Sequence, residues 1–212
     1  MEPSLPRIGI FGGTFDPVHE GHINLASAAA EGADLDQVVF VPNYISPFKQ
    51  NTKVTPGEMR CEMIRRILHR NPAFSLSDHE IRLNRSCYTW DTLSYFSEKY
   101  SCDLYFILGL DSLMTLDSWY RGEEIIEKYK IITGVRPGTD YGAAIEKANK
   151  YRSQLKGNIT FVDLKPMAAA SSEIRRNYSA GRITENMVPP EIIGFIEENG
   201  LYKESSFMDS LI

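Results

Sequence analysis

Asp16, His19 and His22 stand close together in GGTFDPVHEGH (12–22), directly behind the adjacent glycines Gly12 and Gly13. Glycine has no Cβ, so backbone amides there let a ligand approach closely. A helix starting after such a turn adds unpaired N–H groups and the positive end of its dipole. The combination suits a phosphate. The histidines are three apart, which at a helix start puts both imidazoles on one side, facing whatever the turn holds. As donors they would help where negative charge builds on a polyphosphate. The glycine spacing matches neither the dinucleotide fingerprint G-x-G-x-x-G nor the P-loop G-x-x-x-x-G-K-[ST]. A plain turn and a metal-ligating histidine pair are the competing readings, and no further soft or imidazole cluster completes a metal site.

A second group of candidate residues lies in AAASSEIRR (168–176). Ser171 or Ser172 can cap a short helix, leaving hydroxyls and first-turn amides available, and Arg175 offers a forked cation for phosphate oxygens. A capped helix with a solvated arginine is the plainer alternative.

The elements that must position these residues alternate along the chain. Apolar runs at RIGIF (7–11), VVFVP (38–42), DLYFILGLD (103–111), the stretch before Pro137, and ITFVD (159–163) predict strands. Helical spacing is predicted over 23–30 with Gly32 near its end, and after Thr55 as N-cap with Pro56 at the first helical position. In that second helix Met59, Met63, Ile64, Ile67 and Leu68 form a core stripe. Further helices are predicted in YTWDTLSYFSEKY, in YRGEEIIEK, near 142–155, from Ser172, and after Pro189 and Pro190 with Ile192, Ile193 and Ile196 on one face. AFSLSDHEIRL reads as one or two short strands, and 43–56 as a long surface loop.

Several strands are apolar throughout, which predicts an α/β chain: a Rossmann-like, doubly wound parallel sheet with helices on both faces. We expect one domain over 1–212, with a core at 1–165, a small helical C-terminal part at 166–204 and a tail at 205–212. Ligands of such sheets bind beyond the carboxyl ends of the strands. Gly12–His22, Leu108–Trp119 and Ala168–Arg176 are polar turns at predicted strand ends, expected to meet in one crevice.

Composition narrows the partners. With 212 residues, 42% hydrophobic and 24% charged, the chain can bury one good core. A net charge of -5 and a pI near 5.5 provide no basic field for tracking nucleic acid. Cys61, Cys87 and Cys102 are odd in number and lack metal-ligand spacing, so they read as free thiols in a reducing compartment. No leader and no membrane-length apolar run is seen, and a cytoplasmic protein is expected. The sequence leaves a homo-oligomer open, and Phe207, Leu211 and Ile212 in the tail are expected either to pack on a partner or to fray.

Taken as an ordered pair, GGTFDPVHEGH and SSEIRR resemble the nucleotidyltransferase superfamily marked by (H/T)xGH and (S/T)xxIR elements. Within it, FVPNYISPFK, CYTWDTL, FILGLDSL, GVRPG and IIGFIEENGLY resemble the bacterial nicotinate mononucleotide adenylyltransferases over roughly residues 7–203. The resemblance implies direct, in-line transfer of the adenylyl group of ATP to nicotinate mononucleotide, giving deamido-NAD and pyrophosphate without a covalent enzyme intermediate. It implies His19, His22 and Arg175 as catalytic residues. ATP contacts are implied for Gly12, Gly13, Thr14 and Phe15, for Gly109 and Asp111, and for Ser171, Ser172 and Lys49. The acceptor nucleotide is implied to lie along Asp16, Thr89, Trp119, Tyr120 and Arg136, although Asp16 has an alternative role in orienting the turn and Trp119 in the core. Trp90 keeps a core reading. Mg²⁺ is expected to be held mainly by ATP oxygens and water. One departure is Pro47-Phe48-Lys49 where the family commonly has PHK; Phe48 there is expected to exclude water. Another phosphorylated acceptor, such as nicotinamide mononucleotide, phosphopantetheine or FMN, and a non-catalytic nucleotide-binding regulator are the alternatives.

Overall fold

The apolar runs become strands β1 (Arg7–Gly13), β2 (Gln37–Pro42), β3 (Phe74–Leu76), β4 (Asp103–Leu108), β5 (Lys130–Val135) and β6 (Asn158–Asp163). The computed structural model describes residues 5–44, 54–136, 138, 140–167, 169–182 and 186–203. All strand pairs are parallel, and the order β3-β2-β1-β4-β5-β6 is that of a doubly wound sheet. The helices are α1 (Glu20–Gly32), α2 (Gly57–Ile67), α3 (His79–Leu83), α4 (Thr89–Lys99), α5 (Leu110–Thr115), α6 (Gly122–Lys128), α7 (Gly142–Leu155), α8 (Ser171–Ser179) and α9 (Pro190–Glu198).

Alternation along the strands divides the core between the faces. Ile8, Ile10, Val39 and Val41 pack with Leu93 and Phe96 of α4, Leu113 of α5 and Ile125 of α6. Phe11, Val38 and Phe40 pack with Ala26 of α1, Met63 and Ile64 of α2, Ile174 of α8, and Ile192 and Ile196 of α9. The C-terminal helices thus share the core of the sheet. Arg70 reinforces that junction by bridging Glu20 of α1 and Glu191 of α9.

Three local expectations are corrected. Residues 73–83 hold one short strand, β3, and where a second was allowed for they form α3, with Ser77 N still bonding Phe40 O at the sheet edge and Arg82 pairing with Asp78 one turn back. The polar turn expected after β4 contains α5 and a 3₁₀ turn at Leu116–Ser118. Pro56, rather than Thr55, stands at the N-cap of α2, and Thr55 N is used elsewhere, as described below. Lys49 and Phe48, with most of the expected loop at 43–56 and the tail from 205, lie outside the described residues.

Gly122 fixes how the chain leaves the 3₁₀ turn. A Cβ there would lie 1.9 Å from the Leu116 carbonyl oxygen, a backbone atom that cannot step aside. Gly122→Ala is expected to cost roughly 2–4 kcal/mol, since the overlap must be relieved by moving main chain. Urea denaturation of the variant beside the parent measures it.

Candidate active site

In a sheet of this order the crevice opens where β1 and β4 part, because their following helices leave on opposite faces. Gly12 at the end of β1 and Gly109 after β4 flank it. Among the described residues a Cβ on either would meet no atom within 4 Å, so these positions face open space. They line a cavity of ≈ 390 Å³ with Asn43, Glu80, Tyr88, Thr89, Ser112 and Trp119. A second, more open groove lies between α1 and β6; Glu20, Glu31 and Asp163 there outnumber Lys165, which does not suit a polyphosphate.

The opening turn is built around the histidine pair. His19 is the N-cap of α1: its Nδ1 accepts from His22 N at 3.3 Å, while His22 Nδ1 accepts from His19 N at 3.2 Å. This is a capping box in which imidazoles replace the usual hydroxyl and carboxylate. Accepting an amide proton at Nδ1 leaves Nε2 as the protonated, donating nitrogen of each ring. The rings stack at 3.6 Å. Burial, with the nearby charge of Arg136, pushes the His19 pKa down to about 4, so the ring is neutral at neutral pH. Gly21 permits this packing: a Cβ there would lie 3.1 Å from the His19 ring.

Phe15 takes a left-handed conformation (φ 50). Its buried ring makes edge contacts with Phe11 and His22 and lies against Gly13. Non-glycine residues are rarely held there unless surrounding packing fixes them, and such positions gather at functional sites.

Asp16 is buried, 3% exposed, with both carboxylate oxygens engaged. Oδ1 accepts from the Tyr202 hydroxyl at 2.7 Å and Oδ2 from Thr55 N at 3.2 Å. This arrangement favours the turn-orienting role for Asp16. Arg175 Nη1 donates to the Asp16 carbonyl at 2.7 Å, and Ser171 Oγ to the Pro17 carbonyl at 3.0 Å. The second candidate segment therefore meets the first. The capping expectation is corrected: α8 starts at Ser171 with Ala170 as N-cap, and no side chain caps it because the Ser171 hydroxyl bonds the opening turn instead; Ser172 is exposed.

On the far side of the crevice, Thr89 and half-buried Trp119 line the cavity, and exposed Tyr120 stacks obliquely on Tyr88 with ring centroids 4.5 Å apart. Asp111 is exposed on the first turn of α5, beside cavity-lining Ser112, and Arg136 follows β5. Trp90 is partly buried against Tyr129, with the Arg121 guanidinium 3.8 Å above its ring. Among the described residues, no group of three or more His, Cys, Asp or Glu could hold a metal ion.

Several contributors escaped sequence reading. Arg60 sits within the expected core stripe of α2 yet is 1% exposed, donating to the carbonyls of Thr55, Thr14 and Tyr44. The Asn43 side chain reaches Thr14, and its Oδ1 is buried with no hydrogen-bond partner among the described residues. Glu80, Tyr88 and Tyr202 were not singled out either, since nothing in their local spacing tells that the fold brings Glu80 and Tyr88 to the cavity and Tyr202 to the Asp16 carboxylate.

Fold and site together are those of a nucleotide-handling α/β protein. Residues 10–177 match the cytidylyltransferase-like family, and the chain belongs to that family, within its nicotinate-nucleotide adenylyltransferase group. It is 34% identical to the nicotinate-nucleotide adenylyltransferase of Bacillus subtilis strain 168, across 94% of this chain and 100% of that one. It is 36% identical to a probable nicotinate-nucleotide adenylyltransferase of Clostridium acetobutylicum, across 93% and 100%. Among solved structures, Plasmodium falciparum nicotinic acid mononucleotide adenylyltransferase complexed with NaAD aligns with a TM-score of 0.77 at 19% identity, over 93% of this chain and 97% of that one. That likeness concerns the fold.

Long-range ¹H–¹⁵N spectra of His19 between pH 6 and 8 are expected to show one neutral Nε2–H tautomer without titration, its pKa being near 4. A shift moving through neutral pH contradicts the capping-box geometry. Tyr202→Phe deletes one donor to a buried carboxylate and is expected to cost about 1–3 kcal/mol in denaturant unfolding.

Proposed function

We infer that the protein transfers the adenylyl group of ATP to nicotinate mononucleotide, giving nicotinate adenine dinucleotide and pyrophosphate in NAD biosynthesis. The observation that carries this is the meeting of a histidine donor pair, Arg175 and a glycine turn at the sheet's switch point, beside an aromatic-lined cavity. The relatives' names supply the acceptor.

An oxygen of the acceptor phosphate forms a bond to the α-phosphorus of ATP. The bond from that phosphorus to the oxygen bridging to the β-phosphate breaks, and pyrophosphate leaves with the electron pair. No protein nucleophile takes part, so catalysis is positioning and charge stabilisation. The backbone of Gly12, Gly13 and Thr14 cradles the phosphates, with the Nε2–H groups of His19 and His22 donating to oxygens that gain charge. Arg175 and the first-turn amides of α8, at Ser171 and Ser172, hold the leaving phosphates. Gly109 leaves room for the nucleoside, with Asp111 at its edge. Trp119 and Tyr120 cover the acceptor ring, Thr89 and the start of α4 receive its substituent, and Asn43 Oδ1, which has no partner among the described residues, accepts from a ligand hydroxyl. Arg136 adds charge near the phosphates.

The converging groups are donors and cations, which match phosphate oxygens and not a cation. Mg²⁺ accordingly belongs with the ATP oxygens and water and needs no protein cage. The three cysteines are free, and no helix among the described residues is long and apolar enough to cross a membrane. We place the reaction in the cytoplasm.

Pyrophosphate release from Mg·ATP should be measured with nicotinate mononucleotide, nicotinamide mononucleotide and phosphopantetheine in parallel. Nicotinate mononucleotide is expected to give the highest kcat/KM, and His22→Ala to lower kcat roughly 10²–10³-fold, the usual loss for one donor to a developing oxyanion. ATP binding without turnover of any acceptor points to a regulatory protein instead.

A further inference from the structure

Glu80 has no part in the chemistry above, yet it is buried, 6% exposed, in the wall of the acceptor cavity. Its Oε1 lies 2.6 Å from Thr92 Oγ1, which is also 3.5 Å from the Tyr88 carbonyl. A hydroxyl has one hydrogen. It donates to Glu80 when that carboxylate is ionised; when Glu80 is protonated, it can receive the carboxyl proton and turn its own toward Tyr88. The contact therefore accommodates either charge state.

Tyr88 is the N-cap of α4, so Thr92 places Glu80 one turn behind the helix start. The first-turn amides of Thr89 and Trp90 have no intrahelical acceptor, and the dipole there attracts an anion. A carboxylate on the acceptor ring and an ionised Glu80 would face that same end. The charged groups around Glu80 are Arg60 from α2, which favours its ionised form, and Asp91 from α4, which opposes it; Cys87 in the preceding turn also senses its charge. Burial outweighs them and raises the Glu80 pKa to about 7.

We propose that Glu80 sets how well this cavity takes an acceptor ring bearing a negative charge: neutral, it admits a carboxylate at the start of α4, and ionised, it opposes one. The proposal rests on the acceptor assignment made above. Glu80 acts through charge and needs no contact with the reacting atoms.

The test is kcat/KM for nicotinate and nicotinamide mononucleotides from pH 6 to 8.5, in the parent and in Glu80→Gln. Both acceptors carry the same ribose phosphate, so titrations they share cancel in the ratio. In the parent the nicotinate-to-nicotinamide ratio is expected to fall with rising pH, by on the order of tenfold, the scale of two charges about 12 Å apart at an effective dielectric constant near 20. Glu80→Gln keeps a partner for Thr92 and is expected to hold the ratio flat at its low-pH value. Thr92→Val removes the donor to the ionised form and is expected to move the inflection to higher pH. Melting temperature reads the same titration without substrate. The unfolded carboxyl ionises near 4.5 and the folded one near 7, so the parent loses stability across that window. Glu80→Gln should then melt higher than the parent at pH 8 and not at pH 4. A ratio that stays flat in the parent, or falls equally in Glu80→Gln, overturns the role of Glu80 while leaving the acceptor assignment intact. Absence of turnover with both mononucleotides removes the assignment and this proposal together.

Discussion

The turn after β1 depends on two buried charges, the Asp16 carboxylate and the Arg60 guanidinium. A charge taken out of water must be met by hydrogen bonds or the fold does not keep it. Asp16 is met by Tyr202 from beyond α9 and by Thr55 from before α2; Arg60 is met by carbonyls of Thr14, Tyr44 and Thr55. Each partner comes from a different stretch of chain. The turn can hold its shape only when all of them are in place, which ties the geometry of the histidine pair to the completion of the whole fold.

Topology supplies the rest of the constraint. β1 and β4 are neighbours whose following helices leave on opposite faces, so the space between their ends is open by construction. Glycine at the first position beyond cover on each side, Gly12 and Gly109, keeps that space free. α8 and α9 bury Ile174, Ile192 and Ile196 against the face that carries α1. That packing presents Arg175 and Ser171 to the opening turn, and a short helix whose sequence looks unremarkable becomes part of the site.

The sequence was legible where a residue's role depends on neighbours a few positions away. The strands, most helices and the paired glycines and histidines are of this kind, since apolar runs and helical spacing record burial directly. It was misleading at Ser171 and Ser172, where a serine at a helix start suggests a cap: the hydroxyl of Ser171 had a better acceptor in the Pro17 carbonyl, a tertiary partner that outcompetes a local one. Residues 79–83 read as strand because Ile81 and Leu83 alternate, though α3 buries Ile81 and Glu80 as adjacent residues of a single helical turn. Arg60, Glu80 and Tyr202 could not be found at all. Charged and polar residues normally face solvent, and only the assembled fold shows that these are inside.

The two sides of the crevice handle charge differently, and the reason lies in what each must do. Donors to a phosphate undergoing transfer work best if their protonation does not vary: burial holds His19 neutral, and mutual capping at Nδ1 fixes which nitrogen donates. An acceptor cavity has a different task, because it must distinguish rings of similar shape and different charge. Shape cannot make that distinction, and backbone amides at the start of α4 attract any acceptor oxygen. A buried carboxyl whose only hydrogen-bonding neighbour among the described residues is a hydroxyl able to donate or accept, set one turn behind those amides, adds a term that depends on the charge of the ring alone.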